Sequence, residues 1–529
     1  MLSANSAPMP YLQRQGTATL LMVDDKPFFI RGGELGNSSF EREYLAPYWP
    51  MLKELGLNTV LAPVSWELIE PSEGQFNFNS VAELLADARA NDMRLVLLWF
   101  GSWKNSMSCY APNWVKRNPA RFPRAAAASG EVLEILSPFS DANAQADATA
   151  FAALMVHLRE VDPQHTVIMV QVENEIGMIP DARDHSQAAQ AAWAGPVPAA
   201  LIAYLKTHPL QPHIYNSLQN KKELTGGTWA QVFGNSPKAQ EIFQAWYFAQ
   251  YAEKVASAGR AQLDLPMYTN AALIRPGTEP GQYPSAGPLP HLADIWRAAA
   301  PSLDFIAPDI YFPNFAHWAD AYVASGNPLF VPEALRSLDA AANALYAFGQ
   351  YSAIGFCSFG IESIEPDAAE MLTGAYNVIG QLTPLIAAHA GSEKMVGLLP
   401  PADDMRHPLR VRFGEYLIAA TFERVPAPSL ADGVINESGQ AAGAKVLPAA
   451  AILISIGDDQ FVFAGIGVTL SFQPHDGVGK VGILHCEEGR FDPDWHRIRT
   501  LNGDQTHQGR HIRLEPGKFA IQQFALYRY

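Results

Sequence analysis

The sequence predicts an α/β protein: a (β/α)8 TIM barrel followed by an antiparallel β-sandwich-like C-terminal domain. Three observations predict it. Eight short apolar runs, rich in β-branched and aromatic residues, alternate with helical stretches between about residues 25 and 390, the pattern of strands buried on both faces. No GxGxxG follows the first run, which disfavours an open doubly wound sheet. After about residue 390 long helical periodicity stops, and strand-like runs are separated by Gly, Pro, Asp and Asn.

The eight runs are FFIRGG (28–33), NTVLAPV (58–64), RLVLLWF (94–100), TVIMVQV (166–172), LPMYTN (265–270), DFIAPDIYF (304–312), PLFVPEA (328–334) and AIGFCSFG (353–360). Between them, residues 42–55 form a helix that ends at Gly56, placed as a C′ glycine. Ser80 and Glu83 read as a capping box opening a helix toward Asn91. Residues 141–160 and 338–349 are Ala-rich and amphipathic. The later runs 416–422, 450–457, 460–472 and 518–529 read as sandwich strands, and 425–448 as a long, mobile loop. The expected division is a barrel over 1–390 and an all-β accessory domain over 391–529.

Composition narrows the function classes. Nearly half of the 529 residues are apolar and 17% are charged, so a large core is available and disorder is disfavoured. A net charge of −16 with no basic run argues against nucleic acid or an anionic membrane as partner. No apolar run reaches the ~18 residues of a membrane span. The N-terminus lacks a basic and apolar leader, which leaves the cytoplasm and periplasm open. Three widely spaced cysteines form no CxxC and leave at least one free thiol. No feature specifies an oligomer.

Chemistry in such a barrel sits at the C-terminal ends of the strands. The polar residues there are Glu34, Trp66 with Glu67, Trp103 with Lys104 and Asn105, Asn174 with Glu175, Asn270, Tyr311, Glu333, and Glu362. Glu175 and Glu333 each directly follow a buried run, on different strands. Two opposed carboxylates are what glycoside hydrolysis requires, one donating a proton to the leaving oxygen and the other attacking the anomeric carbon. Burial and a neighbouring negative charge would raise the donor's pKa. Asn174 is placed to bond a sugar hydroxyl, and Tyr311 to donate to the nucleophile. Glu173 has the same side-chain parity as Glu175 if the strand continues; position nearer the barrel mouth favours Glu175. Trp66, Trp103, Tyr110, Trp114, Tyr311, Phe312 and Trp318 near these loops supply faces for sugar C–H surfaces.

Gln171–Gly177, QVENEIG, is similar to the QxENEYG motif of glycoside hydrolase family 35, the β-galactosidases. WELIEPSEGQFNF (66–78) resembles that family's second-strand segment, and PLFVPEA its nucleophile strand. The resemblance covers about residues 25–390. It implies Glu175 as acid/base, Glu333 as nucleophile, Asn174 as a sugar ligand and Tyr311 as the nucleophile's partner. Glu34, Trp66, Trp103, Asn105 and Asn270 complete the expected substrate-binding set. The implied reaction removes terminal β-linked galactose from oligo- or polysaccharides with retention. Two departures stand out. Ile176 replaces the usual tyrosine, and Trp103-Lys104-Asn105 replaces a Glu-Trp pair that contacts galactose in many members, which puts the choice of galactose in doubt.

Fourteen histidines include no HExxH, so no metal and no cofactor is expected. The expected partner is a carbohydrate. The alternatives are another β-glycosidase of the same clan, acting on gluco- or mannosides, or a non-catalytic carbohydrate-binding barrel.

Overall fold

A computed structural model describes residues 7–220, 224–402, 407–426 and 446–529. Most of the loop expected over 425–448 lies outside the described residues. All eight expected barrel strands are present: Ile30–Glu34, Thr59–Ser65, Arg94–Phe100, Val167–Val172, Met267–Ala272, Phe305–Asp309, Phe330–Val331 and Gly355–Phe359. They pair in parallel and in sequential order, with the eighth strand between the first and the seventh. The seventh strand has only two residues, because Pro332 lacks the N–H that a ladder needs. The ring therefore closes between the sixth and seventh strands by a single bridge, Ile310 to Ala334. There the Ile310 N–H donates to the carbonyl of Glu333 at 2.9 Å.

A hairpin not foreseen in the sequence, Tyr11–Gln15 with Ala18–Val23, precedes the barrel. Its Leu21 and Val23 pack with Ile30, Val96, Ile168, Phe305 and Phe330, near the N-terminal ends of the strands. The opposite end is thus the one left for chemistry.

The helices depart from expectation where proline and capping intervene. The span 42–55 is broken into Arg42–Leu45, a 3-10 turn at Ala46–Tyr48, and Trp49–Glu54. Pro47 and Pro50 remove donors from a continuous ladder. Gly56 has φ +77°, as a C′ glycine should. The next helix begins at Asn79, one residue before the expected capping box. Phe78 holds the N-cap without a side-chain bond, and the Asn77 side chain accepts from the Asn79 N–H at 3.1 Å. Helix Asp141–Val161 is capped by Ser140.

The last barrel helix, Pro366–His389, leads into two antiparallel sheets. One has six strands and the other four, and Ile418 and Leu470 of the smaller meet Leu453, Phe463 and Phe524 of the larger in a shared core. The run 460–472 is two strands, Gln460–Ile466 and Val468–Pro474, in different sheets. Gly467 between them has φ +65°, which lets the chain cross from sheet to sheet at low cost. The outer face of the six-stranded sheet, with Ile452, Ile454 and Val462, joins the barrel's hydrophobic core. Helix Asp339–Tyr351 lies against it. A Cβ at Gly349 would come within 3.0 Å of the Gly397 backbone, so that helix and sheet approach only because both positions are glycine.

Candidate active site

The fourth strand ends at Val172, and alternation ends with it. Glu173 and Glu175 have φ of +61° and +45°, a left-handed conformation uncommon for non-glycine residues. The side-chain parity expected for these two glutamates therefore does not hold. Glu173 turns inward. Its Oε2 accepts the Trp103 N–H at 2.8 Å, and it adjoins Asp147, which accepts from the Trp99 indole at 2.8 Å and the Ser102 N–H at 2.9 Å. A Cβ at Gly101 would lie 2.6 Å from Asp147 Oδ1 and 2.7 Å from Glu173 Oε1, so glycine is what makes room for this pair.

Glu175 turns toward the barrel mouth. Its N–H donates to Asn270 Oδ1 at 3.0 Å, its carbonyl accepts from the Ser106 N–H at 3.1 Å, and the Asn105 amide donates to its carboxyl. The loop after the third strand thus wraps the residue from one side and the fifth strand from the other. Glu333, carried on the bridge that closes the barrel, accepts from Tyr311 at 2.7 Å, from Asn174 at 3.2 Å and from Asn270 at 3.3 Å. Carboxyl oxygens of Glu175, Glu333 and Asp309 lie within 4.8 Å of one another.

Such crowding decides the protonation states. Burial first, then the charge of Glu333, raises the Glu175 carboxyl to about 7, against the pull of Lys104. Burial and the neighbouring acids hold Asp309 and Glu34 well above the usual carboxylate range. Asp309 is placed to hydrogen-bond the Glu175 carboxyl. Burial disfavours the Lys104 ammonium, but Glu333, Glu175, Glu34 and Asp309 outweigh it and raise its pKa. One buried cation beside four clustered carboxyls offsets part of the charge that low-dielectric surroundings penalise.

Among the expected site residues, Glu175, Glu333, Asn174, Asn270, Tyr311, Asn105 and Glu34 converge here. Trp66 and Trp103, expected as sugar-facing rings, instead lie wholly in the core. Their indole N–H groups are taken by Glu70 at 2.9 Å and the Leu136 carbonyl at 3.2 Å. Asp309 was missed, although it ends the sixth strand's apolar run and an acid there is a signal of the same kind as Glu175. Lys104 was noted at a strand end but not placed among its acids. Glu362 braces the first loop, accepting the Gly36 N–H at 3.0 Å.

Residues 20–102 match the family model "Glycosyl hydrolases family 35". The match ends with the third strand and its first loop residues, ahead of the segment that carries Glu175. Residues 372–513 match a domain of unknown function, DUF5597, running from the last barrel helix into the sandwich. A beta-galactosidase of Xanthomonas manihotis is 29% identical over 201 residues, 35% of this chain and 29% of that protein. Human beta-galactosidase-1-like protein 2 is 37% identical over 65 residues, 12% of this chain and 10% of that one. The chain thus aligns with less than a third of either relative. Among solved structures, the beta-galactosidase of Rahnella sp. R3 superposes with a TM-score of 0.48 at 14% identity, covering 70% of this chain and 58% of that one.

Proposed function

We propose that the protein is a retaining, exo-acting β-galactosidase, with residues 1–390 as the catalytic barrel and 391–529 as an accessory domain. The observation that carries this reading is the proximity of Glu175 and Glu333, whose carboxyl oxygens approach within 4.8 Å. Retaining enzymes hold their two carboxyls about 5–5.5 Å apart, whereas inverting enzymes leave roughly 6.5–9.5 Å for a water. Glu333, held by Tyr311, Asn174 and Asn270, attacks the anomeric carbon. Glu175, protonated because its carboxyl is raised to about 7, gives its proton to the leaving oxygen. Once Glu333 is an ester its charge is gone. The second cause that raised Glu175 then disappears, and Glu175 becomes a better base for the incoming water. The β-galactosidase relatives support galactose as the sugar.

A panel of nitrophenyl glycosides tests this. Release from the β-galactoside supports it, release only from gluco- or mannosides moves the enzyme elsewhere in the clan, and no release leaves a binding protein. Azide rescue of Glu175→Ala on an activated galactoside supports the acid/base role. Rescue at Glu173→Ala instead would overturn it.

A further inference from the structure

Away from the carboxylate centre, three elements bring together His213, Glu241 and His291. His213 lies on the short helix Pro212–Ser217, Glu241 on the helix Pro237–Arg260, and His291 on the 3-10 turn Pro290–Leu292. We propose that these three residues bind a divalent transition-metal ion of the Zn2+ class. One ligand-type atom from each lies within 4.8 Å of the others. Two imidazoles and a carboxylate are a donor set suited to such an ion and poorly suited to Mg2+ or Ca2+.

The geometry is partly formed. His291 Nε2 and Glu241 Oε2 are 3.0 Å apart. Two ligands each about 2.1 Å from one ion stand roughly 3.0–3.4 Å apart at bond angles near 90–109°. That pair can accept an ion by exchanging its shared proton for the metal, with little movement. The His213 ring stands 4.6 Å from the His291 ring, centroid to centroid, and its helix packs on the turn that carries His291. Its Nε2 is buried without a hydrogen-bond partner. A buried imidazole nitrogen left unpaired is costly, and a lone pair toward a metal accounts for it. Glu241 is fully buried and already oriented as a ligand should be. Its Oε1 accepts from the Tyr283 hydroxyl at 2.7 Å and the Ala286 N–H at 3.2 Å.

The consequence is structural. Ser285, beside Ala286, exchanges backbone hydrogen bonds of 2.8 and 3.0 Å with Met178, three residues after Glu175. A Cβ at Gly287 would lie 2.2 Å from the Ile176 carbonyl, so this loop presses directly on the one that carries Glu175. An ion on Glu241 therefore ties the helix Pro237–Arg260 and the 283–287 loop to the base of the Glu175 loop, without touching substrate.

The test uses the full chain, stripped with EDTA, dialysed against Zn2+ and then desalted. Bound zinc is counted by elemental mass spectrometry, and thermal unfolding is followed with and without Zn2+. One ion per chain is expected, with a Tm that rises with the logarithm of free Zn2+. His213→Ala and His291→Gln each lose the ion and the Tm response. In EDTA, His213→Ala melts close to the wild type, since its Nε2 bonds to no protein atom. Absence of a stoichiometric ion in the wild type overturns the proposal, as does an ion and Tm response retained in either variant.

Discussion

Replacing Glu175 by Gln should stabilise the protein above neutral pH while removing its activity. The ordinary carboxyl value of 4.5 is raised to about 7 by burial and by Glu333. Between those pH values the folded chain keeps a proton that the unfolded chain has lost. Stability therefore falls as pH rises from about 4.5 to 7, and is level above that. At roughly 1.36 kcal/mol per pK unit, the cost of ionising Glu175 in place is about 3 kcal/mol. Gln keeps the shape and cannot ionise, so the variant escapes this cost. The assay is denaturant unfolding of both proteins at pH 4.5, 6, 7 and 8. Equal or slightly lower stability of Glu175→Gln is expected at pH 4.5, and a gain of up to about 3 kcal/mol at pH 8. Curves that stay parallel across the range would refute the view that Glu175 holds its proton because it is buried against Glu333.

Glu333→Gln should cut turnover by on the order of 10⁴-fold or more with the fold intact, as removal of a nucleophile does; circular dichroism and nitrophenyl galactoside release check both. Tyr311→Phe removes the 2.7 Å bond to Glu333. Hydrogen bonds to charged groups contribute about 1.5–3 kcal/mol, so a roughly 10- to 150-fold loss in kcat is expected. Lys104→Met deletes the cation that pulls Glu175 downward, so the alkaline limb of kcat/KM should move to higher pH. Gly101→Ala would place a methyl group 2.4 Å from the Trp99 indole nitrogen. An unfolding free energy lower by about 1–3 kcal/mol is expected in denaturant titration, the range of overpacked cores.

Much of the barrel was legible because its signal is local. A strand buried on both faces must be continuously apolar, and Glu175 and Glu333 stood out as charges set against that background. What could not be read depends on direction and on distance in sequence. Glu173 and Glu175 are two residues apart and differ only in where a left-handed turn sends them, which no alternation rule contains. Trp66 and Trp103 sit at strand ends, as ligand platforms do, but Trp66 packs on Trp114 and Trp103 on Phe248 and Tyr251 of the helix Pro237–Arg260. The hairpin Tyr11–Val23 lies ahead of the alternating strand and helix pattern, which does not announce it, though Leu20, Leu21 and Met22 form an apolar run. His213, Glu241 and His291 come from three separate elements, so a search for short histidine spacings could not find them.

The turn after the fourth strand supplies, within three residues, one member of each of two buried carboxylate pairs, and their different treatment bears on which does chemistry. Glu173 with Asp147 is sealed. Trp99, Ser102 and Trp103 supply donors, Tyr251 packs at 3.4 Å from Asp147, and glycine at 101 lets the backbone close over them. Burial raises both members. Glu175 with Glu333 is bordered by Asn105, which is exposed, and Tyr311, which is half-buried. Tyr311, Asn174 and Asn270 hold Glu333 from neighbouring strand ends. A purely structural carboxylate pair is best served by the first arrangement, in which no charge faces solvent. The second sets an acid raised to about 7 beside a carboxyl held by three donors. Its cost to stability has no structural return within this chain, and a reaction that needs a proton donor and a nucleophile side by side supplies the reason for it.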